Sequence, residues 1–471
     1  MSNDDLGSTV ARLLAWTMEW RQGRGEFGGL YLHSCWGATG ILRRRYQGVT
    51  VSNYYRLIPA FLDLYRKTGA EDFLHEVLSM VDLLERLQMS DGCFDHSAYE
   101  GEPGRGTVIC NAVADLGLLY MAEHAEDERL AERVLRIVRR NLDWFGSYWW
   151  KRGNAWRKVV DHPAWCAVTN QDLCVACAMC KYGEISGDTS YFEACGRPAV
   201  LWILENMYLS DLGMFLRGDA PDFLERVVYC GIIDLSLLEL NLHLKDGGIT
   251  DAVVRNLDVI LEHTWRDERG CLRLPGAFDL AGEVEERPSD VLGYSNFIRA
   301  IDVLEKSYGI EKYRRTKEEL LRTVTSYQSG FGGIRSEARR GDVIDLVPLS
   351  GNFGVLSLLA SLWDGPEVPE VERPDLSIAI SGRCLWAEDG RSWLIRDGDL
   401  VYSGVKALRD GIYREKRVEG LREVSVGKDR VRIVLDRGFE GSRIEVELVG
   451  DVPRSVSVEG IEGEVQLDIR Y

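Results

Sequence analysis

The feature that most constrains the fold of this chain is an alternation of long and short connections between segments of helical periodicity. Apolar residues recur at helical spacing in twelve segments. Connections of 13–30 residues follow the odd segments, and connections of 2–8 residues follow the even ones. This alternation places six long loops at one end of the molecule. The predicted helices are 6–21, 52–67, 70–88, 107–124, 127–145, 169–186, 189–208, 222–240, 249–264, 290–307, 311–327 and 351–362.

The odd and even segments differ in composition. The segment 71–87 reads EDFLHEVLSMVDLLERL and has a charged face, whereas the segment 110–122 reads CNAVADLGLLYMA and is apolar nearly all round. A helix with a charged face lies at the surface, and a helix that is apolar all round is packed on every side. The sequence therefore predicts a closed toroid in which six outer helices surround six inner ones.

A glycine turn repeats in phase with the helices. Each odd segment is followed by a glycine, which favours the left-handed backbone that ends helices, and usually by an aromatic residue. The spacing of 57–67 residues matches one helical hairpin with its loops. The six turns begin at Gly25, Gly92, Gly153, Gly213, Gly270 and Gly330.

The periodicity changes near residue 364. The segment 364–375 contains three prolines and is typical of a linker. Beyond it, short stretches alternate apolar and polar residues, as β-strands do. We therefore predict an (α/α)6 toroid at 1–363, a linker at 364–375 and an all-β sandwich-like domain at 376–471.

Charge and cysteine content limit the function and the compartment. The net charge of −18 argues against a partner that is a nucleic acid or an anionic membrane. The first residues lack the pattern of a secretory signal, and no apolar stretch is long enough to span a membrane. The 11 cysteines then predict reduced thiols and a cytoplasmic protein. Cys174, Cys177 and Cys180 share an iron–sulfur spacing, but helical packing of small thiols is favoured over a cluster.

The hairpin number and the glycine repeat resemble those of the (α/α)6-toroid, or six-hairpin glycosidase-like, carbohydrate-active enzymes. That group includes glycoside hydrolases, unsaturated glucuronyl hydrolases and polysaccharide lyases, some with a β-sandwich after the toroid. The resemblance covers residues 1–362 and, through the β domain, 376–471. It implies an oligosaccharide or polysaccharide substrate, bound at the long-loop end. No cofactor and no metal site are predicted.

The long loops are rich in aromatic residues, which stack on sugar rings. Trp36, Trp149 and Trp165 are the predicted stacking residues, and His96, Tyr294 and Asn296 are predicted polar contacts to the substrate. The alternative is that the aromatic rings pack the loops onto the toroid, and that asparagines at the starts of inner helices act as caps.

The segment 161–172, DHPAWCAVTNQD, leads from the third long loop into the sixth helix. Asp172 lies in the first turn of this apolar helix, where desolvation raises a carboxyl pKa and suits a general acid. Asp95 is its predicted partner, because glycoside hydrolysis needs two carboxylates. His162 and Asn170 complete the predicted catalytic set. The alternative for Asp172 is a carboxylate that stabilises the helix N-terminus.

Three functions stay open on the sequence. Glycoside hydrolysis by two carboxylates is the leading prediction. A uronate lyase or sugar epimerase would use Asn170, His162 and Tyr294, with basic loop residues holding an acidic sugar. A non-catalytic glycan-binding or scaffold protein is the third. The sequence does not fix the sugar, the linkage or the oligomeric state.

Overall fold

The computed structural model describes most of the first 371 residues and nine later strands. The described residues form two compact units: residues 1–10, 23–327 and 334–368, and residues 11–22, 328–333 and 369–471. The predicted domain boundaries stay a prediction. The described ranges are 3–31, 45–49, 51–94, 107–150, 153–159, 162–218, 223–267, 269–285, 288–330, 332–334, 339–340, 343–344, 349–371 and, backbone only, the strands from 376 onward.

The described residues contain twelve α-helices, and each overlaps a predicted one. The seventh starts later than predicted because a wide π-helical turn at Phe192–Gly196 precedes it. Pro198, in the first turn of the seventh helix, lacks an N–H donor. The helices are α1 (Asn3–Glu19), α2 (Tyr54–Thr68), α3 (Glu71–Leu87), α4 (Val108–His124), α5 (Glu128–Ser147), α6 (Thr169–Ser186), α7 (Arg197–Asn206), α8 (Val227–Leu244), α9 (Gly247–Glu262), α10 (Tyr294–Tyr308), α11 (Arg314–Ser326) and α12 (Leu349–Leu362).

The even helices form a closed inner ring. Neighbours in the order α2, α4, α6, α8, α10 and α12 pack on each other, and α12 packs on α2 again. The odd helices α3, α5, α7, α9 and α11 pack on the outside of this ring. Both observations confirm the predicted toroid, because only the even helices lack a charged face.

Helix α8 is the one described helix that is long and apolar enough to cross a membrane by length and composition. Its mean hydropathy is 1.5, and 61% of it is buried within the protein. Packing in the inner ring accounts for this composition, since such a helix touches protein on every side.

Short strands follow the helices at the long-loop end. Antiparallel pairs form between β2 and β3, between β4, β5 and β6, between β7 and β8, between β9 and β10, and between β11 and β12. Their bounds are β1 (Arg21–Gly23), β2 (Glu26–Tyr31), β3 (Arg45–Val49), β4 (Trp149–Trp150), β5 (Ala155–Val159), β6 (His162–Cys166), β7 (Tyr208–Leu209), β8 (Met214–Phe215), β9 (Trp265–Arg266), β10 (Leu272–Arg273), β11 (Arg339–Arg340) and β12 (Val343–Ile344).

The glycine repeat is present, with two corrections. Gly25, Gly92, Gly213 and Gly270 have positive φ as predicted. In the third hairpin the left-handed residue is Asn154 rather than Gly153, and in the sixth it is Gly332 rather than Gly330. A Cβ atom on Gly332 would lie 2.0 Å from the carbonyl oxygen of Arg12, so that only glycine fits this turn.

The described residues after 376 are all in strands. The strands form a five-stranded sheet in the order β16-β15-β14-β13-β21 and a four-stranded sheet in the order β17-β18-β19-β20. The face-to-face packing that defines a sandwich stays a prediction. The strands are β13 (Leu376–Ser381), β14 (Cys384–Glu388), β15 (Ser392–Asp397), β16 (Leu400–Val405), β17 (Leu421–Val426), β18 (Arg430–Leu435), β19 (Arg443–Val449), β20 (Val452–Glu459) and β21 (Val465–Arg470).

Candidate functional site

Four inner helices hold the long-loop end through the same contact, which we call the rim clamp. A polar side chain at the start of the even helix accepts the backbone N–H of a residue that follows the glycine turn. The clamp satisfies a buried donor that would otherwise be unpaired. The pairs are Phe27 with the Tyr54 hydroxyl (3.3 Å), Phe94 with Asn111 (2.8 Å), Leu274 with the Tyr294 hydroxyl (2.8 Å) and Ile334 with Asn352 (2.7 Å).

Asp172 makes the equivalent contact in the third hairpin. Its Oδ2 accepts the backbone N–H of Trp156 at 3.2 Å, and the residue is only 1% exposed. The described contact is therefore structural, in line with the alternative that Asp172 stabilises the start of its helix. The general-acid role of Asp172 stays a prediction and is not used below.

The other predicted residues near the rim with described side chains differ in burial and in their contacts. Tyr294 is fully buried, and its rim clamp is structural. Asn170 is buried as well, and its Oδ1 has no hydrogen-bond partner among the described residues. Trp149 is half-buried and packs edge-on against Trp156, with ring centroids 4.6 Å apart.

The remaining predictions at the rim have no described side chains. His162 and Trp165 lie in β6, of which only the backbone is described. Trp36, Asp95 and His96 lie outside the described residues. The predicted pairing of Asp172 with Asp95 and the predicted stacking of Trp36 and Trp165 stay predictions.

Asn296 belongs to a polar cluster that the sequence did not predict. Its Oδ1 accepts a hydrogen bond from Arg56 Nη2 at 2.7 Å, which links α10 to α2. Arg299, one turn further along α10, donates from Nη2 to Ser357 Oγ of α12 at 2.9 Å. Arg56 also lies over the ring of Tyr55, 3.7 Å from its centroid, in cation–π contact. We call these groups, with Glu239, the ring-centre cluster.

Glu239 locates this cluster at the centre of the ring. Its pKa is raised by burial and lowered in part by Arg56, Arg299 and Lys181, which lie on α2, α10 and α6. The centre of the inner ring is the one place that these helices and α8 share. Glu239 is nevertheless solvent-exposed, and Arg56, Asn296 and Arg299 are partly exposed. We infer from this exposure that these side chains line water-accessible space inside the ring.

A second carboxylate lies near the same space. Asp63 of α2 is buried and accepts a hydrogen bond from the Tyr120 hydroxyl of α4 at 2.6 Å. Burial raises the pKa of Tyr120, and Asp63 raises it further. Asp63 also acts electrostatically on Arg299, so its charge reaches the cluster.

A weaker signal in the sequence could have revealed the cluster. The inner helices contain few charged residues, and Arg56, Glu239 and Arg299 are among them. A charge on a helix packed all round must face an opening or a partner. Sequence reasoning applied this rule to Asp172 alone, which faces the rim clamp.

The cysteines of α6 behave as packing thiols. None of the eight cysteines with described side chains forms a disulfide, and Cys177 Sγ contacts the Ser236 carbonyl oxygen at 3.5 Å. A metal could be held elsewhere, where the ligand atoms of Cys180, Glu184 and His243 lie within 4.8 Å of one another. Cysteine, histidine and carboxylate are ligands that zinc accepts.

The comparisons with known proteins concern the fold. No protein-family model and no curated protein matches the chain. A D-mannose isomerase structure matches with a TM-score of 0.60 at 12% identity, covering 77% of this chain and 98% of that one. The structure of an unsaturated glucuronyl hydrolase specific for heparin matches with a TM-score of 0.56 at 12% identity, covering 76% of this chain and 96% of that one. The structure of an α-1,6-mannanase from Salegentibacter sp. matches with a TM-score of 0.54 at 12% identity, covering 76% of this chain and 98% of that one.

These likenesses cover nearly the whole length of each solved protein and about three quarters of this chain. At such identities they show the fold and not the chemistry. The chain has the six-hairpin toroid fold of these enzymes, as the resemblance in its sequence implied.

Proposed function

We propose that this protein is a carbohydrate-active enzyme whose substrate binds in the ring centre. The observation that carries the proposal is the ring-centre cluster, in which Arg56, Glu239 and Arg299 face enclosed, water-accessible space. A ring with a purely structural role would fill its centre with apolar side chains, because uncompensated charges there are costly. Hydroxyl-rich ligands are bound by such convergent polar groups.

Glycoside hydrolysis is the first candidate reaction. The pKa of Glu239 is raised, and a carboxyl group with a raised pKa is suited to protonate the leaving oxygen of a glycosidic bond. Asp63 is the second carboxylate near the cluster, and a hydrolase needs two. Tyr120 donates a hydrogen bond to Asp63 and so fixes the position of this carboxylate.

Epimerisation or isomerisation of a sugar is the second candidate. Glu239 is the cluster's carboxylate without a hydrogen bond or ion pair to a described residue, and one base is enough to move a proton between carbon atoms. The solved D-mannose isomerase has the same fold, which makes this reaction worth testing.

Product analysis on purified protein separates these reactions. A panel of oligosaccharides and monosaccharides is incubated in heavy water and the products are read by NMR. Hydrolysis releases reducing ends without deuterium on carbon, whereas epimerisation introduces deuterium at the inverted carbon. An unsaturated, ultraviolet-absorbing uronate would indicate the lyase alternative.

The variant Glu239→Gln tests the location of the site. Glutamine keeps the size of the side chain but cannot transfer a proton, so that turnover should fall by about 100-fold or more with the fold intact. Glu318→Gln on the outer helix α11 is the control and should keep full activity. Full turnover by Glu239→Gln on a substrate of the wild-type enzyme would contradict the proposed site.

A further inference from the structure

The two arginines of the ring-centre cluster differ from Arg217 and Arg273, which are also shielded from solvent. Arg217 is paired with Glu225, and Arg273 is paired with Asp267. Arg56 and Arg299 form no ion pair with any described residue. Their described hydrogen bonds go to neutral groups, the amide of Asn296 and the hydroxyl of Ser357.

Arg299 keeps donor capacity that the described residues do not use. Its Nε is buried and has no hydrogen-bond partner among the described residues. Burial and the like charge of Arg56 lower its pKa to about 10, so the guanidinium is charged at neutral pH. A guanidinium presents five N–H donors in one plane, in a geometry that fits carboxylate and phosphate oxygens.

The space beside Arg56 is also shaped by the ring. Gly354 of α12 faces this arginine, and a Cβ there would lie 3.9 Å from Arg56 Cγ and 3.5 Å from Ser295 Oγ. The nearby carboxylates do not neutralise the pair by direct contact. Asp63 accepts a hydrogen bond from Tyr120, and Glu239 forms no ion pair with either arginine among the described contacts.

We propose that Arg56 and Arg299 bind the anionic group of the substrate, a carboxylate or a phosphate carried on a sugar. This inference rests on the proposed function for the sugar part and on the two unpaired guanidiniums for the anion. The anion would take up the free donors and offset the repulsion between the two cations. The substrate class is therefore a uronate or a sugar phosphate rather than a neutral sugar.

Calorimetric titration of the full chain tests this proposal with matched probes. Glucose, glucuronate and glucose 6-phosphate share a ring and differ in the group at carbon 6, and inorganic phosphate supplies an anion without a sugar. At least one anionic sugar should bind about tenfold or more tightly than glucose, since charge-assisted hydrogen bonds are stronger than hydrogen bonds between neutral groups. Whichever of the two binds more tightly identifies the anion.

Variants locate the site. Arg299→Met should reduce the affinity for the anionic sugar about tenfold or more, and by a larger factor than the affinity for glucose, while Arg299→Lys should restore part of the affinity. Arg315→Gln removes an exposed arginine of α11 and should change nothing. Circular dichroism verifies that each variant is folded, and Arg56→Lys gives a second test if Arg299→Met is unfolded.

The outcomes separate this inference from the proposed function. Glucose bound as tightly as both anionic sugars, with turnover of neutral substrates, overturns the anion site and leaves the sugar enzyme intact. Phosphate bound in an Arg299-dependent way, with no sugar preferred over it, supports the anion site and contradicts the proposed function. An anion affinity that is unchanged in Arg299→Met and Arg56→Lys overturns the assignment of these residues.

Discussion

The Asp172 carboxylate accepts the backbone N–H of Trp156, as Asn111 does for Phe94 in the preceding hairpin. One hairpin uses a carboxylate where two others use an amide, because an oxygen acceptor is all that the contact requires. The most prominent carboxylate in the sequence is thus explained by the repeat before any chemistry is assigned to it.

The first prediction concerns Asp172→Asn. Asparagine supplies the same acceptor at positions 111 and 352. The free energy of unfolding of this variant should therefore lie within about 1 kcal/mol of the wild-type value, and its turnover should be kept. Asp172→Ala should lose about 1–3 kcal/mol, since the Trp156 N–H is then buried without a partner. Denaturant unfolding and activity assays measure both. A large loss of turnover in a stable Asp172→Asn variant would support the predicted general-acid role instead.

Gly92 provides the second prediction. A Cβ at this position would lie 2.1 Å from the Arg140 carbonyl oxygen, and φ is +96°. Gly92→Ala should therefore destabilise the protein by more than about 3 kcal/mol, through clash as well as strain. Gly187→Ala is the matched control, since Gly187 has a positive φ of 79° and open space around it. Gly187→Ala should lower the free energy of unfolding by only about 1 kcal/mol, and thermal unfolding of both variants measures the difference.

Lys67 carries the third prediction. It donates to the carbonyl oxygens of Ala360 and Ser361, both at 2.8 Å, and to that of Trp363, at the end of α12. A cation at a helix C-terminus satisfies free carbonyls and opposes the helix dipole. Lys67→Met should lower the free energy of unfolding by about 1–2 kcal/mol. The exposed Lys306→Met should have almost no effect, and equal losses in the two variants would contradict a capping role.

The fourth prediction concerns pH and the buried Asp115 and Asp234. Both are fully buried, without hydrogen-bond partners among the described residues, and burial raises the pKa of each well above 3.8. A raised folded-state pKa means that stability is greatest below the unfolded pKa and is lost as pH rises toward the folded pKa. Asp115→Asn cannot titrate.

The Asp115→Asn protein should therefore lose less stability than the wild type between pH 4 and pH 7, by roughly 1–4 kcal/mol. Urea unfolding across this pH range measures the difference. Parallel stability curves for the two proteins would show that Asp115 is charged in the folded state.

The sequence predicted the ring because its evidence is repeated. Six apolar helices, six amphipathic helices and a glycine turn in phase all point to one arrangement, so that an error at one position, such as Gly330 for Gly332, does not change the result. Position 332 requires glycine because the Arg12 carbonyl oxygen approaches it closely. Arg12 is more than 300 residues away in sequence, so the local pattern could not reveal this contact.

The site was less accessible to sequence reasoning. Which face of an inner helix a charge occupies depends on the rotation of that helix in the ring. Asp172 and Glu239 are both acidic residues on apolar helices, yet one faces a neighbouring backbone N–H and the other faces the centre. Asn296 stays a predicted contact to the substrate, and its described partner Arg56, 240 residues away, was not predicted with it.

The last prediction joins Glu239 to the arginines through pH. Arg56 and Arg299 stabilise the ionised form of Glu239 and so lower its pKa against the effect of burial. Removing one positive charge in Arg299→Met should raise this pKa, and with it the pH at which the acidic form is lost. If Glu239 acts as the general acid, the alkaline limb of kcat/KM should move to higher pH in Arg299→Met and stay in place in Arg299→Lys. Each pH profile is normalised to its own maximum, because lost anion binding lowers the whole curve without moving its limb. A limb that stays in place in both variants would show that a group other than Glu239 titrates in the reaction.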